Sequence, residues 1–272
     1  MINIIAEIGI NHNGDIDMAK NLIKIAKQAE CNYVKFQKRE PEICVPDKQK
    51  NKLRNTPWGK MKYIDYKYKI EFNKEQYQII DKYCKKIGIK WFASVWDKPS
   101  VDFMKEFVDI AKIPSALISN HDLVKYARKK FKTLIVSTGM STEEEIIDMV
   151  QVGNPDVIMH TNSTYPSPVE ELNLNYITYL REKYPEKSIG YSGHEYGLVT
   201  TFAVSVMGVE WIERHITLDR TMWGSDHLAS VEPQGLMKLV KGIRDIEKSL
   251  GHRGPRKLFK SELAKRESLR GN

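Results

Sequence analysis

The sequence predicts an α/β fold, a (β/α)8 TIM barrel, and three observations favour it. Short segments rich in Val and Ile alternate with amphipathic segments along the whole chain. There are eight such apolar segments, and the length of 272 residues matches the ~250 residues typical of this barrel. The glycine-rich nucleotide-binding motifs that would favour a rival open sheet do not occur. We therefore predict one barrel domain over residues 1–272, ending in a short basic tail at 254–272.

The strands are assigned to the apolar runs, because strands of a parallel sheet are buried on both faces. In chain order the predicted strands are Asn3–Ile8, Tyr33–Phe36, Ile89–Ala93, Asp109–Lys112, Thr133–Val136, Asp156–Met159, Ser188–Tyr191 and Val209–Ile212. Each run gives way to polar residues, so polar groups are expected at the carboxyl end of every strand.

Capping signals mark the helices between the strands. Asn73 with Gln76 predicts one capping box, and Ser141 with Glu144 predicts a second. The segment Glu195–Gly208 is so apolar that we expect a buried helix there.

Composition excludes several functional classes. The formal charge is +8, but the basic residues are scattered and not interleaved with aromatic residues, so no nucleic-acid partner is expected. No apolar run reaches the ~18 residues of a membrane span, and the first residues do not resemble a signal peptide. The three cysteines, Cys31, Cys44 and Cys84, are too few and too widely spaced for a disulfide framework. We expect a cytoplasmic enzyme.

The carboxyl ends of barrel strands form the catalytic face, and here they carry the polar groups of a pocket. The candidates are Glu7, Lys35, Gln37, Ser94, Lys112, Ser115, Asn162, Ser163, Tyr165, Ser192, His194, Glu213 and His215, with Asp226 in the last loop. His12 and His160 also follow strands, and for both a purely structural role is the alternative.

Two histidines predict a metal site. His194 and His215 follow consecutive predicted strands, whose carboxyl ends lie side by side in a parallel barrel. Neutral imidazole is a common ligand of divalent metals. Glu213 and Arg214 precede the second histidine where a buried strand would carry apolar residues, so we interpret both as functional.

Two lysines predict an anionic substrate. Lys35 interrupts an apolar strand and Lys112 ends another, and both suit a phosphate or a carboxylate. The carboxylates of Glu7, Glu213 and Asp226 can balance these charges or move protons. The residues alone therefore indicate a metal-assisted reaction on a small anionic molecule.

Seven collinear motifs resemble the N-acetylneuraminate (sialic acid) synthase family. They are AEIGINHNGD (6–15), VKFQ (34–37), KIPSA (112–116), STGM (137–140), NSTYPSP (162–168), IGYSGHE (189–195) and IERHITLDRTMWGSDH (212–227). The resemblance implies a barrel that condenses phosphoenolpyruvate with the aldehyde of an N-acetylated amino sugar, N-acetylmannosamine or a relative. It also implies a divalent metal ion, Mn²⁺ or Mg²⁺, and a nonulosonic (sialic-type) acid and phosphate as products.

The resemblance further implies roles for single residues. The metal ligands match His194 and His215. The catalytic residues are then Glu7, Lys35, Glu213 and Asp226. The substrate-binding residues are then Gln37, Ser94, Lys112, Ser115, Asn162, Ser163, Tyr165, Ser192 and Trp223.

Two departures from the family leave the sugar open. Leu117 stands where some members have glutamate, and Ser163 stands where many have asparagine. The alternatives are a 2,4-diacetamido sugar, a sugar phosphate, or a barrel that binds phosphoenolpyruvate or sugar without turnover.

A small antifreeze-like domain, which supplies an arginine to the partner subunit in many members, is not expected here. We therefore expect the mouth to be closed by the loops 37–72 and 219–230, with Trp58 and Trp223, in a homodimer. The alternative is that these aromatic residues only pack at a subunit contact.

Overall fold

A computed structural model describes residues 1–270 of the chain. Within this range the strands are β1 (Asn3–Gly9), β2 (Tyr33–Lys38), β3 (Leu53–Thr56), β4 (Gly59–Lys62), β5 (Lys90–Val95), β6 (Ile110–Ile113), β7 (Thr133–Ser137), β8 (Val157–Thr161), β9 (Ser188–Gly193) and β10 (Trp211–His215). Of the predicted tail, Gly271 and Asn272 lie outside the described residues.

The α-helices in the same range surround the strands. They are α1 (Ile16–Gln28), α2 (Pro41–Cys44), α3 (Asp47–Lys50), α4 (Tyr63–Ile70), α5 (Lys74–Ile87), α6 (Lys98–Lys105), α7 (His121–Lys130), α8 (Glu143–Gly153), α9 (Asn175–Lys183), α10 (Val199–Val206), α11 (Pro233–Ser249) and α12 (Lys260–Arg270). No helix among residues 1–270 combines the length and apolar character needed to cross a membrane.

Eight strands close into a parallel barrel in the order β1-β10-β9-β8-β7-β6-β5-β2. The predicted (β/α)8 fold is therefore confirmed, and each predicted strand is present. The observed strands extend one to three residues beyond the predicted apolar runs. The added residues include polar side chains that line the pocket, such as Gln37, Ser94 and Glu213. Prediction from apolar runs stops where the site begins.

The barrel interior consists of an apolar floor beneath a polar layer. The floor cluster contains Ile5, Phe92, Ile135, Val157, Met159 and Trp211. Side chains two residues apart on a strand face the same side. Two residues beyond Ile5 and Trp211 in this interior stand Glu7 and Glu213, which begin the polar layer.

The two predicted capping boxes have different outcomes. The Asn73–Gln76 capping box is present, but the second box is formed by Thr142 and Glu145 and not by Ser141 and Glu144. The run of hydroxyl and carboxylate residues offers overlapping pairs, and the helix starts one residue later than predicted.

The predicted helix Glu195–Gly208 begins only at Val199. The expectation that it is buried is wrong, since Val199 and Val206 are 80% and 55% exposed. Glu195 lies before it and is fully buried. Its carboxylate accepts hydrogen bonds from Arg214, Thr200 and Thr201, which hold it outside the helix.

The long connection after β2 has its own structure. It contains α2 and α3, the antiparallel hairpin β3–β4, and α4. The hairpin strands are short and largely exposed, so they carry no apolar run that would predict them. The tail also contains an unpredicted helix, α12.

Candidate active site

A cavity of about 250 Å³ opens at the carboxyl ends of the barrel strands. The predicted site residues that line it are Glu7, Lys35, Gln37, Ser94, Lys112, Ser115, Ser163, Tyr165, Ser192, His194, Glu213 and His215. Trp96 and Met140 also line the cavity, although neither was among the predicted residues. Strands from all around the barrel thus contribute to one pocket.

Asn162 and Asp226 lie just behind this wall. The side-chain amide of Asn162 donates to Glu171 O (3.2 Å), and its backbone carbonyl accepts from His194 Nδ1 (2.6 Å). The Asp226 carboxylate is 3.8 Å from His215 Nδ1. The Asn162 carbonyl therefore orients His194, whereas Asp226 places a carboxylate near His215 without a hydrogen bond to it.

Four charged side chains form the centre of the pocket. Lys35 Nζ is 3.0 Å from Glu7 Oε1 and 3.5 Å from Glu213 Oε1. Lys112 Nζ is 2.8 Å from the same oxygen of Glu213. All four are almost completely buried, so solvent screens their interactions weakly. We call Glu7, Lys35, Lys112 and Glu213 the charged quartet.

Position within the quartet sets the charge of each member. Burial alone would raise the pKa of Glu213, but Lys112 and Lys35 overcome this and lower that pKa to about 2. Burial raises the pKa of Glu7 to about 7, because Lys35 compensates only in part. Burial lowers the pKa of Lys112, whereas the carboxylates of Glu213 and Glu7 raise the pKa of Lys35. At neutral pH, Glu213 is the fixed anion and Glu7 is the group that can hold a proton.

The two predicted metal ligands lie side by side, with ring centroids 5.3 Å apart. Because His194 Nδ1 donates to a carbonyl, its Nε2 is left unprotonated. His215 Nδ1 is buried and has no hydrogen-bond partner among residues 1–270. Burial lowers the pKa of His194 to about 3 and that of His215 to about 4, so both rings are neutral.

Neutral imidazoles with free nitrogens fit a divalent metal ion. Among the described residues, no three His, Cys, Asp or Glu side chains converge as a closed metal cage. The protein would thus supply two nitrogen ligands and leave the remaining positions to substrate and water, as open catalytic sites do.

Hydroxyl groups line the opposite wall around Gly139. The Gly139 amide donates to Ser115 Oγ at 3.1 Å. A Cβ atom on Gly139 would lie 2.2 Å from Ser163 Oγ and 2.9 Å from Ser115 Oγ. Glycine is required here because two serine hydroxyls approach the backbone closely. We call Ser115, Gly139 and Ser163 the hydroxyl niche.

Arg214 does not face the pocket, and its interpretation as a functional neighbour of Glu213 is wrong. Its guanidinium donates to Glu195 Oε1 (3.0 Å) and Thr201 Oγ1 (2.7 Å) on the outer side of the barrel. The pair connects the residue after His194 to the residue before His215. It therefore fixes the two strand ends that present the histidines.

For His12 and His160 the structure favours the structural alternative. His12 Nδ1 accepts from the Gly14 amide (3.0 Å), and its ring stacks on Phe72 with centroids 4.0 Å apart. His160 Nε2 donates to Leu172 O at 2.6 Å. Neither residue lines the cavity.

Trp223 lies outside the cavity wall and fastens two loops together. Its ring meets Tyr66 at 5.1 Å and Trp58 at 6.5 Å between centroids. Its carbonyl accepts from the Asn13 side chain at 3.1 Å. The rings of Trp58 and Trp223 line a separate groove of about 690 Å³ beside the mouth.

Arg39 supports the pocket and was missed by the sequence analysis. Its guanidinium lies 4.4 Å from the Trp96 ring, pairs with Glu71 at 3.1 Å and donates to Gln37 Oε1. The sequence analysis gave it no role, yet it is only 6% exposed. Its position directly after β2, beside the pocket residue Gln37, is the signal that could have identified it.

Comparison with known proteins shows the same family over most of the chain. The NeuB family profile matches residues 22–254. Human N-acetylneuraminate-9-phosphate synthase is 37% identical over 273 residues, covering 98% of this chain and 76% of that enzyme. The N,N'-diacetyllegionaminic acid synthase of Campylobacter jejuni is 35% identical, covering 95% and 80%.

A solved structure shows the same fold. The sialic acid synthetase from Leptospira borgpetersenii serovar Hardjo-bovis superimposes with a TM-score of 0.85 at 33% identity, covering 100% of this chain and 93% of that one. The relatives of the present chain are named synthases, and the pocket of this chain contains ionisable groups with strongly shifted pKa values. The chain is therefore an enzyme that belongs to the NeuB family.

Proposed function

We propose that this enzyme condenses phosphoenolpyruvate with the aldehyde of an N-acetylated amino sugar in a reaction that requires Mn²⁺ or Mg²⁺. The products are a nonulosonic acid and phosphate. The observation that carries the proposal is that a single pocket contains the hydroxyl niche, the charged quartet and two neutral histidines. The names of the relatives, which are synthases of such acids, support it.

Phosphoenolpyruvate binds between the hydroxyl niche and the lysines. Ser115 and Ser163 offer hydroxyl donors to the phosphate, and Lys112 and Lys35 offer positive charge. Lys112 and Lys35 both pair with Glu213. Carboxylates balance the positive charge of Lys112 less fully than that of Lys35, so an added anion stabilises the charged form of Lys112 more. The niche and the quartet thus favour a ligand with two anionic ends.

His194 and His215 would hold the metal ion at the sugar side of the pocket. A divalent cation bound there would supply Lewis acidity to the aldehyde oxygen of the sugar. The carbonyl of Asn162 orients the His194 ring, and the Asp226 carboxylate lies 3.8 Å from His215 Nδ1. Tyr165 covers His194, with ring centroids 4.1 Å apart, and shields this side from solvent.

Glu7 is the proton donor of the proposed reaction. The phosphoenolpyruvate C3 attacks the aldehyde carbon, and the aldehyde oxygen takes a proton as its double bond breaks. Gln37 Nε2 donates to Glu7 Oε1 at 3.2 Å, which together with Lys35 fixes the carboxyl. Water then adds at C2, and phosphate leaves by cleavage of the C–O bond.

The test is product formation with phosphoenolpyruvate, Mn²⁺ and a panel of N-acetylated amino sugars, followed by mass spectrometry. A keto acid heavier than the sugar by the three-carbon unit supports the proposal. Calorimetric binding of both substrates without any product would favour a non-catalytic barrel instead.

The relatives differ in whether the product that they are named for is phosphorylated. The human relative is named for a 9-phosphate product, whereas the Campylobacter jejuni relative is named for an unphosphorylated acid. Phosphoenolpyruvate contributes three carbons, so a 9-phosphate corresponds to a 6-phosphate on a six-carbon acceptor.

A further inference from the structure

Lys67 is a buried cation without a counter-ion. It lies on α4, directly after the hairpin, and is only 8% exposed. Its ammonium group lies 5.2 Å from the centroid of Tyr63 and 5.4 Å from that of Tyr66. It makes no hydrogen bond or salt bridge within residues 1–270. A buried charge is costly unless it is paired, so this lysine needs an explanation.

Two arginines increase the positive charge around Lys67. The Arg54 guanidinium lies 4.0 Å from the Tyr63 centroid, on the ring that Lys67 also contacts. Burial, and then the charge of Arg39, lower the pKa of Lys67 to about 8. The free protein therefore holds these like charges together at a cost.

The nearby carboxylates, Glu71 and Asp226, do not pair with Lys67. Glu71 pairs with Arg39 at 3.1 Å, and Asp226 lies 3.8 Å from His215. Both raise the pKa of Lys67, but neither comes within salt-bridge distance of it. The three cations Lys67, Arg39 and Arg54 therefore exceed the two carboxylates in charge.

Arg39 brings this basic cluster to the border of the pocket, on the side opposite the hydroxyl niche. Arg39 follows β2 and contacts two pocket residues, Trp96 and Gln37. In the barrel order β2 lies across from β8, which precedes Ser163, and β1 lies across from β7, which precedes Gly139. When the phosphate of phosphoenolpyruvate occupies the niche, the basic cluster on the opposite side can bind an anionic group of the second substrate.

We propose that Lys67, with Arg39 and Arg54, binds a terminal phosphate monoester on the acceptor sugar, so that the preferred acceptor is a phosphorylated amino sugar. This inference rests on the proposed condensation. A phosphate dianion would supply the charge that Lys67 lacks, and Arg39 can meet it with a planar guanidinium. The exposed Arg54 adds a third cation, whose guanidinium lies against the Tyr63 ring that Lys67 also contacts.

The test compares N-acetylmannosamine with its 6-phosphate as acceptors for the Mn²⁺-loaded enzyme. We expect kcat/KM to be at least about tenfold higher for the phosphate ester. Lys67→Gln should lower this preference at least about tenfold, and Lys67→Arg should retain most of it. Lys69→Gln is the matched control, because Lys69 lies on the same helix with its side chain exposed, and it should leave the preference unchanged.

A binding measurement separates this inference from the proposed reaction. Calorimetry with the 6-phosphate should show binding to the Mn²⁺-loaded enzyme that Lys67→Gln weakens at least about tenfold. Such binding without product from either sugar would overturn the proposed reaction alone. An equal or higher kcat/KM for an unphosphorylated sugar, or equal losses on both sugars in Lys67→Gln, would overturn the phosphate site alone.

Discussion

Glu213 and Glu7 contact the same buried lysine, yet replacing them with glutamine should have opposite effects on stability. The pKa of Glu213 is lowered to about 2 from 4.5. At about 1.4 kcal/mol per pKa unit, its ionised form stabilises the fold by about 3 kcal/mol. This contribution is present above pH 4.5 and is lost as the pH falls through about 2. Glu213→Gln should therefore lower the free energy of unfolding by about 3 kcal/mol at pH 8.

Glu7 has the opposite sign. Its pKa is raised to about 7 from 4.5, so ionising Glu7 in the fold costs up to about 3 kcal/mol above pH 7, and nothing below about pH 4.5. Glu7→Gln should be neutral or stabilising at pH 8, and the gain should vanish towards pH 4.5. Both effects depend on the shared Lys35, which lies 3.0 Å from Glu7 and 3.5 Å from Glu213.

The assay is urea unfolding at pH 8 and at pH 5, with chelator present so that metal binding does not contribute. Glu210→Gln serves as the control for an exposed carboxylate near the start of β10. Equal destabilisation by Glu7→Gln and Glu213→Gln would refute the charge assignment within the quartet.

Three further outcomes follow from the geometry of the pocket and its mouth. His194→Ala and His215→Ala should each weaken Mn²⁺ binding in calorimetry at least about tenfold while leaving the far-ultraviolet circular dichroism unchanged; unchanged Mn²⁺ affinity in both would remove the metal assignment. Gly139→Ala should raise the KM for phosphoenolpyruvate more than that for the sugar, because the new methyl group displaces the two serine hydroxyls of the niche; equal KM values before and after would argue against a phosphate there. Trp223→Ala should raise the sugar KM more than the phosphoenolpyruvate KM. It should also increase proteolysis within residues 53–62, because the Trp223 ring holds the β3–β4 hairpin in place. An intact hairpin with normal kinetics would exclude a lid function.

The barrel could be predicted from sequence because its signals are local. Each strand is marked by an apolar run. The inward-facing polar residues come at the end of the strand, two positions after an inward-facing apolar residue. Lys35 stands out because it interrupts an apolar strand, and Glu213 stands out because it directly follows one. Interactions between distant segments left no such signal. The exposed β3–β4 hairpin has no apolar face of its own, and ring contacts from another loop hold it.

Side-chain direction was the main source of error within the site. Glu213 and Arg214 are adjacent, and the sequence analysis interpreted both as functional, whereas alternation along β10 sends Arg214 outward to Glu195. Asn162 was expected in the wall, but its side chain is used by its own loop. The burial of Lys67 depends on the packing of α4 beneath the hairpin, which no local pattern encodes.

Metal-dependent condensation can be measured as phosphate release from phosphoenolpyruvate by the metal-free, chelated protein and by the protein restored with Mn²⁺, each with and without the acceptor sugar. We predict phosphate release only when both Mn²⁺ and sugar are present, with one keto acid formed for each phosphate and no release in His215→Ala. Full activity in excess chelator, or equal phosphate release without sugar, would contradict a metal-dependent condensation in this pocket.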